Sequence, residues 1–271
     1  MHPLPTSHSA SERADRTRAR ILRAAVQHFG QNGLAGARTE QIAESAGVNK
    51  ALLYYYFSSK EALYAAALES VFETIQDASI AVLRLDFSAG EKFLQIVLNH
   101  FDRVYSQVAL QSLIQQEMVR LHMGEENRMS RLAERFIKPM WFQLQNVLEE
   151  GIASGELVAV DPAQMRYASI GANVFYFLSA PLTRLTLGID PMERGELERR
   201  RTATIEFLGK ALFTDRVHGA QVADRILQST PMPWRDECEE HSATDDENKA
   251  GEAPSFSNST HSRFAAKEER K

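Results

Sequence analysis

One cysteine, Cys238, stands in a chain of 271 residues. A single thiol excludes an internal disulfide and a cysteine-cluster metal site, and fits a reducing compartment. The N-terminal run MHPLPTSHSASERADRTR has no apolar core of signal-peptide length. Long uncharged runs are scarce as well. The longest, YASIGANVFYFLSAPLT, lies between Arg166 and Arg184 and holds Asn173, Ser179 and Pro181. It is close to the shortest length that spans a membrane, so a buried helix is the expected reading. No membrane partner and a cytoplasmic location follow as expectations. No segment sustains a period-two alternation bounded by turn residues, and no internal repeat is evident. No Gly-rich phosphate loop, nucleophile elbow or paired-carboxylate arrangement stands out. His122 with Glu125 and Glu126 sits near a helix end without a partner motif, which suits a solvated cluster better than a metal site. No enzyme class, catalytic residue, metal or cofactor is called for.

What is present is an ordinary soluble composition, 44% hydrophobic and 25% charged, with an uneven charge. Residues 1–60 hold eight Lys/Arg against four acids, whereas residues 215–271 hold eight basic groups against twelve acidic ones, inside a net charge of −5. A basic N-terminal segment on an acidic protein points to that end, not the whole surface, as the part that meets a polyanion.

The periodicity is helical almost throughout. Ile21, Leu22, Ala25, Val26 and Phe29 recur at three- and four-residue steps, predicting a helix over 15–29 that Gly30 and Gly33 stop. Thr39 is placed to cap a second helix with Ile42, Ala43 and Ala46 inward, and Gly47 ends it. Asn49 caps a third, and Ser58 with Glu61 reads as a capping box for a fourth, whose stripe is Leu63, Ala67, Val71 and Ile75. Beyond a loop at 86–90, helices are expected over 91–108, 112–122, 127–154 with a kink at Pro139, 163–187 and 194–213. After about Ser229 the composition turns polar and reads as disordered.

The stretch NKALLYYYFSSK carries four aromatics. At about 100° per residue, Leu52, Leu53, Tyr56 and Phe57 share one arc, and Lys50, Ala51, Tyr54 and Tyr55 the opposite one. Outward tyrosines beside a lysine suit a phosphate backbone, with hydroxyls donating to phosphate oxygens and rings covering sugar. Ala51 is small enough for close approach to a groove floor. Two short helices joined at Ala46-Gly47-Val48 form a helix-turn-helix, whose second helix enters the major groove. Lys60 can hold a flanking phosphate. On spacing alone, an exposed packing helix is an equal alternative.

The stretch TEQIAESAGVNKALLYYYFSSKEAL resembles the DNA-binding motif of TetR/AcrR-family transcriptional regulators. Thr39, Ile42, Ala43, Ala46, Gly47, Val48, Lys50, Leu53, Tyr54, Tyr56, Phe57, Lys60, Glu61 and Leu63 match in order, and ILRAAVQHFGQNGLAGART resembles the family's first helix. The resemblance covers roughly residues 14–76. It implies that Thr39, Lys50, Tyr54, Tyr55, Tyr56 and Lys60 fall where the family contacts operator DNA, mostly through phosphates, with Asn49, Ala51 and Leu52 completing the DNA-facing set. Tyr56 is open at this point: the wheel turns it inward, the family uses the position at the backbone. Two positions depart from the pattern. Asn49 replaces the usual Ser cap, and Leu52 replaces a small hydroxyl or alanine, so base reading there is apolar, for example against a thymine methyl. Arg13 and Arg16 are candidates for a minor-groove arm, nonspecific phosphate attraction being the alternative.

The resemblance implies an all-α chain: a flexible arm over 1–13, a helix-turn-helix domain over 14–76, a helical ligand-binding and dimerisation domain over 77–214, and a polar tail over 215–271. The uncharged helix around Tyr167–Thr183 and the helix Glu198–Phe213, with Ile205, Leu208 and Leu212 in its stripe, are the expected dimer face. Met118, His122, Trp141 and Phe175, with Phe142 and Tyr176, are candidate pocket residues for a small apolar or aromatic ligand with a polar handle. The implied function is a homodimeric repressor released from a palindromic double-stranded operator by that ligand. The competing reading is a helical small-molecule-binding or catalytic protein whose helix-turn-helix no longer reads DNA, for which Leu52 and the net negative charge speak.

Overall fold

Helix α1 (Ser7–Gly36) opens the described part of the chain, residues 7–234 of a computed structural model. Ile21, Leu22, Ala25 and Phe29 are buried along one face, as their spacing requires. The helix exceeds its expected span at both ends. Residues 7–13, expected as a flexible arm, already belong to it, and the backbone leaves helical geometry only at Gly33, where φ is 67°. Gly30 does not stop the helix and serves another purpose. A Cβ there would stand 2.4 Å from the carbonyl oxygen of Ala109, so only glycine lets α1 close onto α6 (Val108–His122).

Three helices complete the N-terminal head: α2 (Thr39–Ser45), α3 (Lys50–Tyr56) and α4 (Lys60–Leu83). Their inward residues Ile42, Ala43, Leu53, Phe57, Leu63 and Tyr64 join the α1 stripe in one core. Each fully buried leucine or isoleucine in it contributes about 2 kcal/mol of apolar transfer. Two expected caps move. Arg38 precedes α2 without a side-chain cap, Thr39 lying inside the first turn. Ser59, not Ser58, caps α4 by accepting from the Ala62 N–H at 3.0 Å, so the expected Ser58–Glu61 box does not form. The expected boundary at residue 76 is not a boundary of the core either. The same cluster takes in Leu110 and Leu113 of α6, and Met129, Leu132 and Phe136 beyond it.

The body continues with α5 (Ala89–Ser106), α6, α7 (Glu126–Leu132), a π-helical turn (Ala133–Ile137), α8 (Lys138–Ala153), α9 (Pro162–Arg166), a second π-helical turn (Tyr167–Gly171), α10 (Ala172–Leu187) and α11 (Arg194–Leu212). Ser88 and Glu91 form a reciprocal capping box that starts α5 inside the expected loop. The kink expected at Pro139 is instead the π-helical turn before it. Pro139 follows that turn directly as the second residue of α8, so the residue that has no N–H to donate coincides with the widened turn. The expected helix over 163–187 is likewise divided by a π-helical turn, and among the described residues no helix is long and apolar enough to cross a membrane.

A further helix, α12 (Arg216–Ser229), occupies chain expected to belong to the polar tail. Asp215 caps it, and Val222, Ala223 and Ile226 bury into a second core with Phe93, Leu94 and Leu98 of α5, Leu144 and Leu148 of α8, and Ile205, Leu208 and Leu212 of α11. Three apolar residues at steps of one and three are enough to dock so short a helix, although its mean polarity hides them. The expected placement of Ile205, Leu208 and Leu212 on a dimer face is thereby corrected: they face α5 and α12. Arg201 of α11 donates to both carboxylate oxygens of Asp102 on α5, at 2.7 and 2.8 Å, and to the carbonyl of Thr230 at 2.8 Å. Up to Met232 the described residues form one compact unit. They contain no strand, only a single antiparallel bridge between Leu157 and Phe213. Cys238 and the acidic run beyond it lie outside the described residues.

Candidate nucleic-acid interface and effector cavity

Gly47, at φ 62°, turns the chain between α2 and α3 in a conformation that costs other residues about 1–2 kcal/mol. The Asn49 side chain then accepts from the Leu52 N–H at 2.7 Å and starts α3. Leu53 and Phe57 anchor this helix in the core, which fixes what its other face presents. Asn49, Lys50 and Ala51 are exposed, and Tyr55 is 81% exposed. Tyr54 is 38% exposed and Tyr56 half-buried against the core, so Tyr56 belongs partly to both arcs. Leu52, on the inward arc of the wheel, is 37% exposed. Seven residues make too short a helix to bury a whole arc, and Leu53 and Phe57 take the available core.

Polar contacts hold this face in place. The Tyr54 and Thr39 hydroxyls lie 3.2 Å apart, tying α3 to α2. Thr39, the expected cap, is buried and uses its hydroxyl here instead. Lys50 is ion-paired with Glu40, and its Nζ lies 5.9 Å from the Tyr54 ring centroid. That pairing holds the Glu40 carboxyl below, and the Lys50 ammonium above, their ordinary values. Lys60 donates to the Ala35 carbonyl at 3.1 Å, at the far end of α1. Three contacts gave no signal in the sequence pattern: His28 Nε2 with Ser45 Oγ at 2.7 Å, Arg18 over the Phe57 ring, and Tyr64 Oη donating to Glu117 at 2.7 Å. Arg13 and Arg16 stand exposed on the first turns of α1.

The body contains a cavity of about 110 Å³. Its walls come from α4 (Ile75, Val82), α5 (Ile96, Asn99, His100, Arg103), α8 (Trp141, Gln143, Leu144) and the α9–α10 segment (Arg166, Ile170). Of the candidate pocket residues, Trp141 lines it. Met118, His122 and Phe175 do not: all three are exposed on other surfaces, and His122 Nδ1 lies 3.0 Å from the Met118 carbonyl oxygen. Burial, with Arg103 nearby, pushes His100 down to about 4, so it is neutral at pH 7. Burial likewise lowers Arg103 from its ordinary value. Asn99, His100 and Arg103 recur with Ile96 at the three- and four-residue steps of one helix face. Polar residues at that spacing within an apolar helix are the signal that marks the cavity in the sequence.

A turn of helix–turn–helix geometry with an outward aromatic and basic face, carried on an all-helical body, defines a DNA-binding protein. Residues 21–67 match the family described as bacterial regulatory proteins, tetR family, and residues 90–208 the tetracyclin repressor-like C-terminal domain. The chain is 34% identical over 146 residues, 54% of its length and 68% of the relative's, to the HTH-type transcriptional repressor NicS of Pseudomonas putida. To the HTH-type transcriptional regulator RutR of Escherichia coli it is 33% identical over 171 residues, 62% of this chain and 77% of the relative. A solved TetR/AcrR-family regulator from Thermobifida fusca shares the fold, with a TM-score of 0.52, 22% identity, and coverage of 70% of this chain and 95% of that one. The chain belongs to the TetR family and is a DNA-binding transcriptional regulator.

Proposed function

We propose that the protein acts as a homodimeric repressor that grips a palindromic operator and lets go when a small molecule fills the cavity. In this reading residues 14–76 are the reading head, the helices from 77 onward hold effector and partner, and the protein works in the cytoplasm without catalysing a reaction. One observation carries it: the outward face of α3, where Lys50, Tyr54 and Tyr55 stand exposed on a helix whose other side is locked into the core. Lys50, Tyr54, Tyr55 and Tyr56 contact phosphate and sugar, Ala51 and Leu52 approach bases, and Thr39, Asn49 and Lys60 position α2, α3 and the start of α4.

Release follows from the length of α4. Its first turn lies beside the DNA-facing elements, and Ile75 to Leu83 wall the cavity. A ligand that separates α4 from α5 and α8 moves the head at the other end. To change occupancy from nearly full to nearly empty it needs about 5.5 kcal/mol of differential affinity for the released state.

Binding of the purified protein to DNA from upstream of its own gene, across a salt series, tests the reading. A saturable shift with two chains per site, weakening steeply as salt rises, is expected. Failure to prefer any sequence in a random-site selection would overturn it in favour of a protein that no longer reads DNA.

A further inference from the structure

Resting on the reading of the cavity as the effector site, its chemistry narrows what that effector is. Two arginines line it, Arg103 and Arg166, and no aspartate or glutamate does. Elsewhere the same fold neutralises a buried arginine fully, as Asp102 and the Thr230 carbonyl do for Arg201. Arg103 has no side-chain hydrogen bond or ion pair among the described residues, and burial destabilises its charge. The Arg166 guanidinium is held by ring faces, 4.3 Å from the Trp141 centroid and 4.8 Å from that of Tyr167, while its buried Nε has no acceptor. Gln143, also in the wall, has a buried amide oxygen without a partner. Both arginines are half-buried, and cations drawn out of water are ordinarily paired, because desolvation penalises them otherwise. Two guanidiniums around one space with no carboxylate in its wall amount to half of an ion pair.

We propose that the cavity binds a small monocarboxylate with an apolar body, its carboxylate accepting from Arg103 and Arg166 and its body packing on Ile75, Val82, Ile96 and Leu144. A dianion is not favoured: His100 is neutral and adds no charge, and Asn99 adds only uncharged hydrogen bonds. The volume, about 110 Å³, falls below the roughly 150 Å³ of a dry cavity that takes up benzene, so a short branched chain fits it as it stands and a ring has to widen it.

The test is calorimetry and thermal shift on the full chain, without DNA, using benzoate, phenylacetate and 3-methylbutanoate, each against its own amide. At least one acid should bind better than its amide by about tenfold or more, the size of one charge-assisted hydrogen bond. Arg103→Met should remove that preference while raising the melting temperature of the free protein, since an uncompensated charge is gone. That rise also shows the variant to be folded, and Arg166→Gln should weaken the acids and leave the amides alone. Amides binding as well as acids, no acid binding at millimolar concentration, or a preference that survives Arg103→Met would each overturn the proposal. Operator release is read separately. An acid that binds without releasing DNA leaves this inference standing and removes the release mechanism, whereas release by neutral compounds alone does the reverse.

Discussion

Lys50 does not wait free for DNA; it is bound to Glu40, and both side chains are more than half exposed. A phosphate must therefore compete with a carboxylate for the same ammonium, and that carboxylate repels the backbone as it approaches. Glu40→Gln is expected to tighten operator binding several-fold, and Lys50→Ala to weaken it, both measured by fluorescence anisotropy at fixed salt. Equal affinity for all three proteins would remove Lys50 from the interface. His100 offers a second test at this scale. Its folded value, about 4, lies below the ordinary 6.5, so the unfolded chain takes up a proton that the folded one refuses. The stability this contributes is present above 6.5 and is lost as the pH falls towards 4. Between pH 7 and 5 the loss is about 2 kcal/mol, and His100→Asn should flatten that part of the pH–stability curve in urea titrations.

Among elements, the joint between head and body depends on α1 and α6 lying almost in backbone contact. Gln116 on α6 donates to the Phe29 and Gly30 carbonyls at 3.4 and 3.0 Å, and the Gly30 site has no room for a methyl group against Ala109. Gly30→Ala should force the two helices apart and destabilise the protein by about 1–3 kcal/mol, as overpacking does; a chemical denaturation midpoint unchanged from wild type would contradict that. Helix α12 depends on a different kind of contact. Arg201 joins α5 and α11 through Asp102 and reaches the end of α12 at Thr230, so Asp102→Asn strands a buried guanidinium. A loss of about 3–5 kcal/mol is expected, with α12 among the elements whose amide exchange quickens.

For the whole molecule, the notable surface is apolar. Phe175, Leu178, Leu182 and Leu185 lie along one side of α10, the last of them 84% exposed, with Phe207 of α11 also in solvent. Contiguous exposed apolar surface of this kind usually marks an interface, and two copies joined here would give the paired heads a palindrome requires. Leu178→Glu with Leu182→Glu is expected to yield a folded monomer by sedimentation, with operator affinity lost and the acid-binding cavity intact. A dimer that persists would place the interface on another face.

Local chemistry was enough to place the helices of the head, and the resemblance to a known motif gave them their role. Side-chain periodicity, the glycine at the turn and the Asn49 cap act within a few residues of chain, so α2, α3 and the outward Tyr54 and Tyr55 were legible in the sequence itself. The all-helical body was legible for the same reason. What depends on partners distant in the chain was not. Periodicity could say that Ile205, Leu208 and Leu212 form a stripe, but not that α5 and α12 cover it and leave one side of α10 bare. It could not distinguish Gly30 as a contact from Gly30 as a stop, because the answer lies at Ala109, nor could it show that α12 docks. The cavity is the clearest case. Arg103 and Arg166 are ordinary helical residues until folding brings them to one space that contains no acid, and only tertiary structure decides which charges are left without a partner.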